Sequence, residues 1–144
     1  MFIIDSNVYI DGFNNLAFGR ELQRFHHENL PRLILSTVVA HELLIGAITS
    51  KQERALRRGL LMPFQTRQRI HTPSLRTWDL AGNVDRRLRR KTRYTDLLSQ
   101  RSFFNDILIS ASARDLGATI ITNNEKDFSV IATVLDVRFA KPWP

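Results

Sequence analysis

Four acidic residues stand where an ionised carboxylate is out of place. Asp5 closes the short apolar run FII, and Asp127 lies in TNNEKDF, directly after the apolar run ATII. Glu42 is set in TVVAHELLIGA, with Val38, Val39 and Ile45 three or four residues away, and Asp106 is followed at once by ILIS. Burying an unpaired carboxylate is costly. Each acid has an ordinary explanation by itself: Asp5 can cap a following turn, Glu42 can pair with an arginine, Asp106 can sit favourably near a helix N-terminus, and Asp127 can be a solvated loop acid. A shared divalent cation accounts for all four together. Mg2+ and Mn2+ are hard ions that take oxygen ligands. Acid-rich sites that hold them serve phosphoryl chemistry, in which the ion polarises a phosphodiester and lowers the pKa of a bound water. One of the four acids can then act as general base on the attacking water.

These residues need a scaffold that gathers distant segments. FII (2–4) and LILS (33–36) read as short buried strands, and Ser36 is placed to cap the helix TVVAHELLIGA. Leu22, Phe25 and Leu30 give helical spacing over 18–30, stopped by Pro31, and a further helix is expected over 51–62. RIHTPS (69–74) reads as a short strand or extended link, followed by a helix with Ser74 near its cap and Leu80, Val84 and Leu88 at i, i+4 steps. SFFNDILISASARDLG (102–117) is the clearest helix, with Ser102 as its cap and Gly117 as its stop. ATII and VRFA are the remaining strands. Strands alternating with helices predict an α/β fold, a mainly parallel twisted sheet with helices on both faces, in one domain. In such sheets, sites gather at the carboxyl ends of the strands, which puts Asp5 and the TNNEKD loop in one crevice.

Composition narrows the chemistry. A chain of 144 residues forms one ordinary domain, and 43% hydrophobic with 24% charged residues describes a folded protein. No cysteine is present, so disulfides, thiolate metal sites and a cysteine nucleophile are excluded. No apolar run approaches a membrane span, and MFIIDSNVYI meets Asp5 before a signal-peptide core can form, so a cytoplasmic protein is expected. The net charge of +7 and a pI near 10.8 favour an anionic partner, nucleic acid first and an acidic protein segment second. The run DRRLRRKTR (85–93) concentrates that charge; Arg86, Arg87, Arg89 and Arg90 are candidate contacts to an RNA backbone or simply a solvated helix face.

In order along the chain, FIIDSNVYI, STVVAHELLIG, FFNDILISASARDLGATIITNNEKDF and RFAKPWP resemble the PIN-domain ribonucleases, specifically the VapC toxins of bacterial toxin–antitoxin pairs. The resemblance spans essentially the whole chain. It implies a PIN-like three-layer sandwich whose acidic quartet falls on Asp5, Glu42, Asp106 and Asp127, as metal ligands and catalytic groups, with Ser6, Asn7, Thr122 and Asn124 in support. It also implies dependence on Mg2+ or Mn2+, cleavage of RNA, a homodimer, and a cognate VapB-like antitoxin whose tail fills the groove. Two departures stand out. Residues 86–102 have no glycine-bearing loop of the kind many members carry before the third acid, and Asp115 and Glu125 compete for the place of the fourth acid.

Other classes fit less well. A haloacid dehalogenase-type phosphatase needs a second Asp two residues after the first, where this chain has Asn7. A receiver-type phosphoacceptor domain gives no reason for Glu42 in an apolar helix or for the basic surplus. A non-catalytic nucleic-acid-binding module explains the charge through phosphate contacts and leaves the four acids without a role.

Overall fold

The structure, a computed structural model, describes residues 1–144. Five short strands form one sheet: β1 (Phe2–Ile4), β2 (Leu33–Ser36), β3 (Ile70–His71), β4 (Thr119–Ile121) and β5 (Arg138–Ala140). Their order is β3-β2-β1-β4-β5 and every pairing is parallel. Ile3 faces Ile34 on one side and Ile120 on the other, and all three are buried. Strands covered on both faces read as unbroken apolar runs. Each buried isoleucine contributes ~1.5–3 kcal/mol of burial free energy, which lets strands of three or four residues hold the sheet.

Nine α-helices cover the sheet. From β1 to β3 run α1 (Ser6–Asn14), α2 (Leu16–Asn29), α3 (Thr37–Gly46), α4 (Ser50–Leu56) and α5 (Met62–Thr66). From β3 to the end run α6 (Leu75–Arg89), α7 (Thr95–Leu98), α8 (Arg101–Leu116) and α9 (Glu125–Ala132). The chain leaves β1 toward β2 and β3, then returns past β1 to β4 and β5. Right-handed crossovers therefore put α1–α5 and α6–α9 on opposite faces. α6 and α9 pack on α8, while α3 touches both α1 and α8 and so links the two layers at the edge of the site.

Close approach and caps fix these helices. A Cβ at Gly19 would lie 2.5 Å from the Gly12 carbonyl oxygen, so α1 and α2 cross this closely only because position 19 lacks a side chain. Ser36 and Ser74 cap α3 and α6 as expected, and Gly117 ends α8 with φ 62, a left-handed turn that glycine adopts without strain. At the C-terminus, Trp143 packs on Phe18 and Phe25 of α2 and donates from Nε1 to Glu21 at 2.8 Å.

Several local expectations are revised. α8 begins at Arg101, not at Ser102, because α7 ends at Leu98 and leaves Ser99 and Gln100 as the whole link; Gln100 is the cap position and its side chain caps nothing. The helix expected over 51–62 changes to wider π-helical winding over Arg57–Leu61 before α5. Residues 86–102 form the end of α6, a 3-10 turn at Thr92–Tyr94 and the short α7, with Arg93 stacked 4.9 Å over the Tyr94 ring. TNNEKD is only partly a loop: α9 starts at Glu125, so Asp127 lies in a helical first turn.

Candidate active site

The order of the strands makes the site. β1 and β4 are neighbours, and the chain leaves them toward opposite edges, so their carboxyl ends border the crevice of a doubly wound sheet. Asp5 follows β1 and Thr122 follows β4. Asp5 is 2% exposed, yet it is fully engaged: Oδ1 accepts from the Ser6 amide at 2.7 Å, and Oδ2 accepts from Asn7 Nδ2 and Thr122 Oγ1, each at 2.7 Å. It caps α1 and stands at the carboxyl end of β1, which borders the crevice. Ser6 takes part through its amide.

The β4–α9 turn is a second rigid cradle. Asn7 Nδ2 also reaches Thr122 Oγ1 at 3.2 Å, and that oxygen accepts from the Asn124 amide at 2.9 Å. Asn124 Nδ2 donates to Asp127 Oδ2 at 2.8 Å. Asn123 was not singled out by its sequence, yet its amide donates to Asn7 Oδ1 at 3.2 Å and its Nδ2 donates to Asp11 at 2.6 Å. Two asparagines and a threonine thus tie the turn to α1 and α9.

The other two acids come from helices. Asp106 in α8 is 6% exposed and receives no hydrogen bond and no ion pair from the chain. Glu42 in α3 accepts from Asn105 Nδ2 at 2.9 Å through Oε1, while its buried Oε2 has no partner. One turn before Asn105, Arg101 donates to His41 Nε2 at 2.9 Å, a second contact along the same seam between α3 and α8. Asn105 is a second residue, after Asn123, that the sequence pattern does not single out; its only signal is a polar side chain in FFNDILIS, next to Asp106.

The charges of the quartet act on one another. Burial pushes the Asp106 carboxyl up to about 9, and the carboxylates of Asp5, Asp127 and Glu42 add to that push. Burial raises Asp5 to about 6, with Glu42 adding to the rise; the bonds from Thr122, Ser6 and Asn7 work in the opposite direction. No arginine relieves the repulsion. All five ion pairs use other acids: Glu53, Asp85, Asp115, Asp136 and Glu125. The arginine partner expected for Glu42 on the ordinary reading is not there. Asp115 bonds Thr77 and Arg76, and Glu125 pairs with Lys141, so both rival acids are tied elsewhere.

The arginine run does not join this cluster. Arg86, Arg87, Arg89 and Arg90 are all exposed at the end of α6. Arg87 Nη1 donates to the Val134 carbonyl at 2.7 Å, on the return from α9 toward the amino end of β5, and Arg89 pairs with Asp85. Arg86 and Arg90 make no ion pair.

The donor set suits a hard divalent cation: only oxygen ligands, mutual repulsion that an ion relieves, a carboxylate without a partner at Asp106 and an orphaned oxygen on Glu42. No three carboxylates close into a ready-made cage.

The sequence profile of the PIN domain matches residues 2–134, and the chain belongs to that family. None of the functionally curated proteins matches its sequence at a significant level. Solved structures share its fold. One is the DNA-bound VapBC of Salmonella typhimurium, with 21% identity over 97% of this chain and 96% of that one and a TM-score of 0.73. Another is VapBC-1 of nontypeable Haemophilus influenzae, with 22% identity, 97% and 96% coverage and a TM-score of 0.69. A third is a toxin–antitoxin complex of Klebsiella pneumoniae, with 23% identity, 90% and 91% coverage and a TM-score of 0.62. The three-layer arrangement expected from the resemblance is therefore the one found. No helix is long and apolar enough to cross a membrane.

Proposed function

We propose that this protein is a Mg2+- or Mn2+-dependent endoribonuclease that acts as the toxin of a toxin–antitoxin pair. The observation that carries the reading is the burial of Asp5 and Asp106 at one crevice with Glu42 and Asp127 beside them and no cationic side chain among them. Such a cluster is unfavourable unless a cation completes it.

Asp5, Glu42, Asp106 and Asp127 would hold the ion, directly or through water. When bound, it supplies Lewis-acid polarisation of the phosphodiester and a more acidic attacking water. The chain's own groups do the rest. Thr122, Asn7 and the Ser6 amide fix the Asp5 carboxylate, Asn124 fixes Asp127, and one of the four acids, ionised once the cation is bound, would take a proton from the attacking water. Exposed Arg86 and Arg90 are left to contact the RNA backbone. The partners follow from kinship: a VapB-like antitoxin and a second copy of the chain. A non-catalytic nucleic-acid-binding module would use the +7 charge equally well, yet it gives the unpaired buried acids no role.

The test is cleavage of RNA by the purified protein, free of antitoxin, with Mg2+ or Mn2+, with EDTA, and with Asp106→Asn beside the wild type. Metal-dependent cleavage that the substitution abolishes is expected. Chelator-insensitive RNA binding without cleavage in any metal would move the assignment to a binding module.

A further inference from the structure

Resting on that reading, we infer that Asn105 is a positioning residue: it holds one oxygen of Glu42 so that the other is presented, without a partner, to the cation. The geometry is specific. Asn105 Nδ2 donates to Glu42 Oε1 at 2.9 Å across the seam between α3 and α8, and Glu42 Oε2 is buried and bonded to nothing. No other group of the chain steers this side chain; the neighbouring His41 is occupied by Arg101. A free glutamate samples several rotamers, so a single fixed bond decides which oxygen faces the crevice.

The residue type matters as much as the contact. An arginine or lysine at this place would orient Glu42 equally well, but it would cancel the negative charge and compete with the cation. The amide of asparagine donates a hydrogen bond and leaves the charge intact. Asn105 also immediately precedes Asp106, so the residue that orients the α3 acid is carried by the same helical turn that carries the α8 acid. Asn105 would thereby orient Glu42 relative to Asp106 through a contact to the ligand side chain and not to the ion, the usual way outer partners tune a metal site.

The experiment measures Mn2+ binding by the loss of the free-ion paramagnetic resonance signal. It compares wild type, Asn105→Ala, the similarly shaped Asn105→Leu, Glu42→Gln, and the double variant Asn105→Ala with Glu42→Gln, and records thermal unfolding of each in EDTA. Both Asn105 variants are expected to weaken Mn2+ binding by roughly ten- to a hundredfold, with unfolding in EDTA close to wild type. Asn105→Ala is expected to add nothing once Glu42 is Gln. Wild-type Mn2+ affinity in the Asn105 variants, or losses that multiply in the double variant, would overturn the inference while leaving the nuclease reading intact. Failure of both Asn105 variants to fold would make the residue structural and also overturn it. If the wild type itself binds no Mn2+, the metal-dependent reading falls and this inference with it.

Discussion

Thr122 Oγ1 donates to Asp5 Oδ2 at 2.7 Å, although 117 positions separate the two residues. The bond joins the carboxyl ends of β1 and β4, and it is one of the interactions that keep the Asp5 pKa from rising further. Asp5 must be ionised to hold a cation. Thr122→Val keeps the shape of this buried side chain and removes the donor. The acid limb of the pH–rate profile is expected to move to higher pH, with RNA cleavage at pH 7 down by roughly tenfold. An unshifted profile would mean that the bond is only structural.

Stability without metal should depend on pH in a definite direction. The folded chain holds the Asp5 proton up to about pH 6 and the Asp106 proton up to about 9, against an ordinary value of 3.8 for each. Between pH 4 and 9 the folded state therefore binds more protons than the unfolded state, and stability falls as pH rises. Urea unfolding in EDTA is expected to show this decline. At pH 8, Asp106→Asn should be more stable than wild type, and saturating Mg2+ should stabilise the wild type far more than this variant.

The glycines separate packing from site chemistry. Gly19→Ala forces a Cβ onto the Gly12 carbonyl at 2.5 Å, while Gly82, within α6, has nothing within 4 Å of its would-be Cβ. Gly19→Ala is expected to cost about 1–3 kcal/mol by overpacking the crossing of α1 and α2, and Gly82→Ala to gain up to about 1 kcal/mol of helix stability. Urea denaturation of both variants measures this.

The arginine run should divide into two kinds of residue. Arg87 fastens α6 to the Val134 carbonyl, so Arg87→Ala is expected to lower stability by about 1 kcal/mol. Arg86→Ala with Arg90→Ala should leave stability unchanged, weaken RNA binding and reduce its salt dependence by roughly 0.7 per lost contact in the logarithmic slope. Fluorescence anisotropy at several salt concentrations reads both quantities. An unchanged slope would assign the run to a solvated face.

Much of this site was legible because it depends on strand ends. Short apolar runs mark β1, β2 and β4, and the rule that sites lie at carboxyl ends puts Asp5 and the TNNEKD loop in one crevice. Glu42 and Asp106 were visible as charges in apolar helices. What sequence could not show was side-chain direction: that Glu42 meets Asn105 and no arginine, or that Arg87 turns toward Val134. Asp127 reads as a loop residue in the sequence because α9 is only 8 residues long and Asn124 gives it no side-chain cap, bonding Asp127 instead. The helix over Ser6–Asn14 gave only a capping signal at Asp5, because its apolar face is interrupted by Asp11 and Gly12.

The most direct test of the account is a crystal of the protein soaked in Mn2+, with diffraction recorded at the manganese absorption edge. The account predicts an anomalous peak in the crevice between Asp5, Glu42, Asp106 and Asp127, with Glu42 Oε2 or a water it holds turned toward the ion. A crevice without such a peak, in crystals where Mn2+ binds elsewhere or not at all, would contradict it.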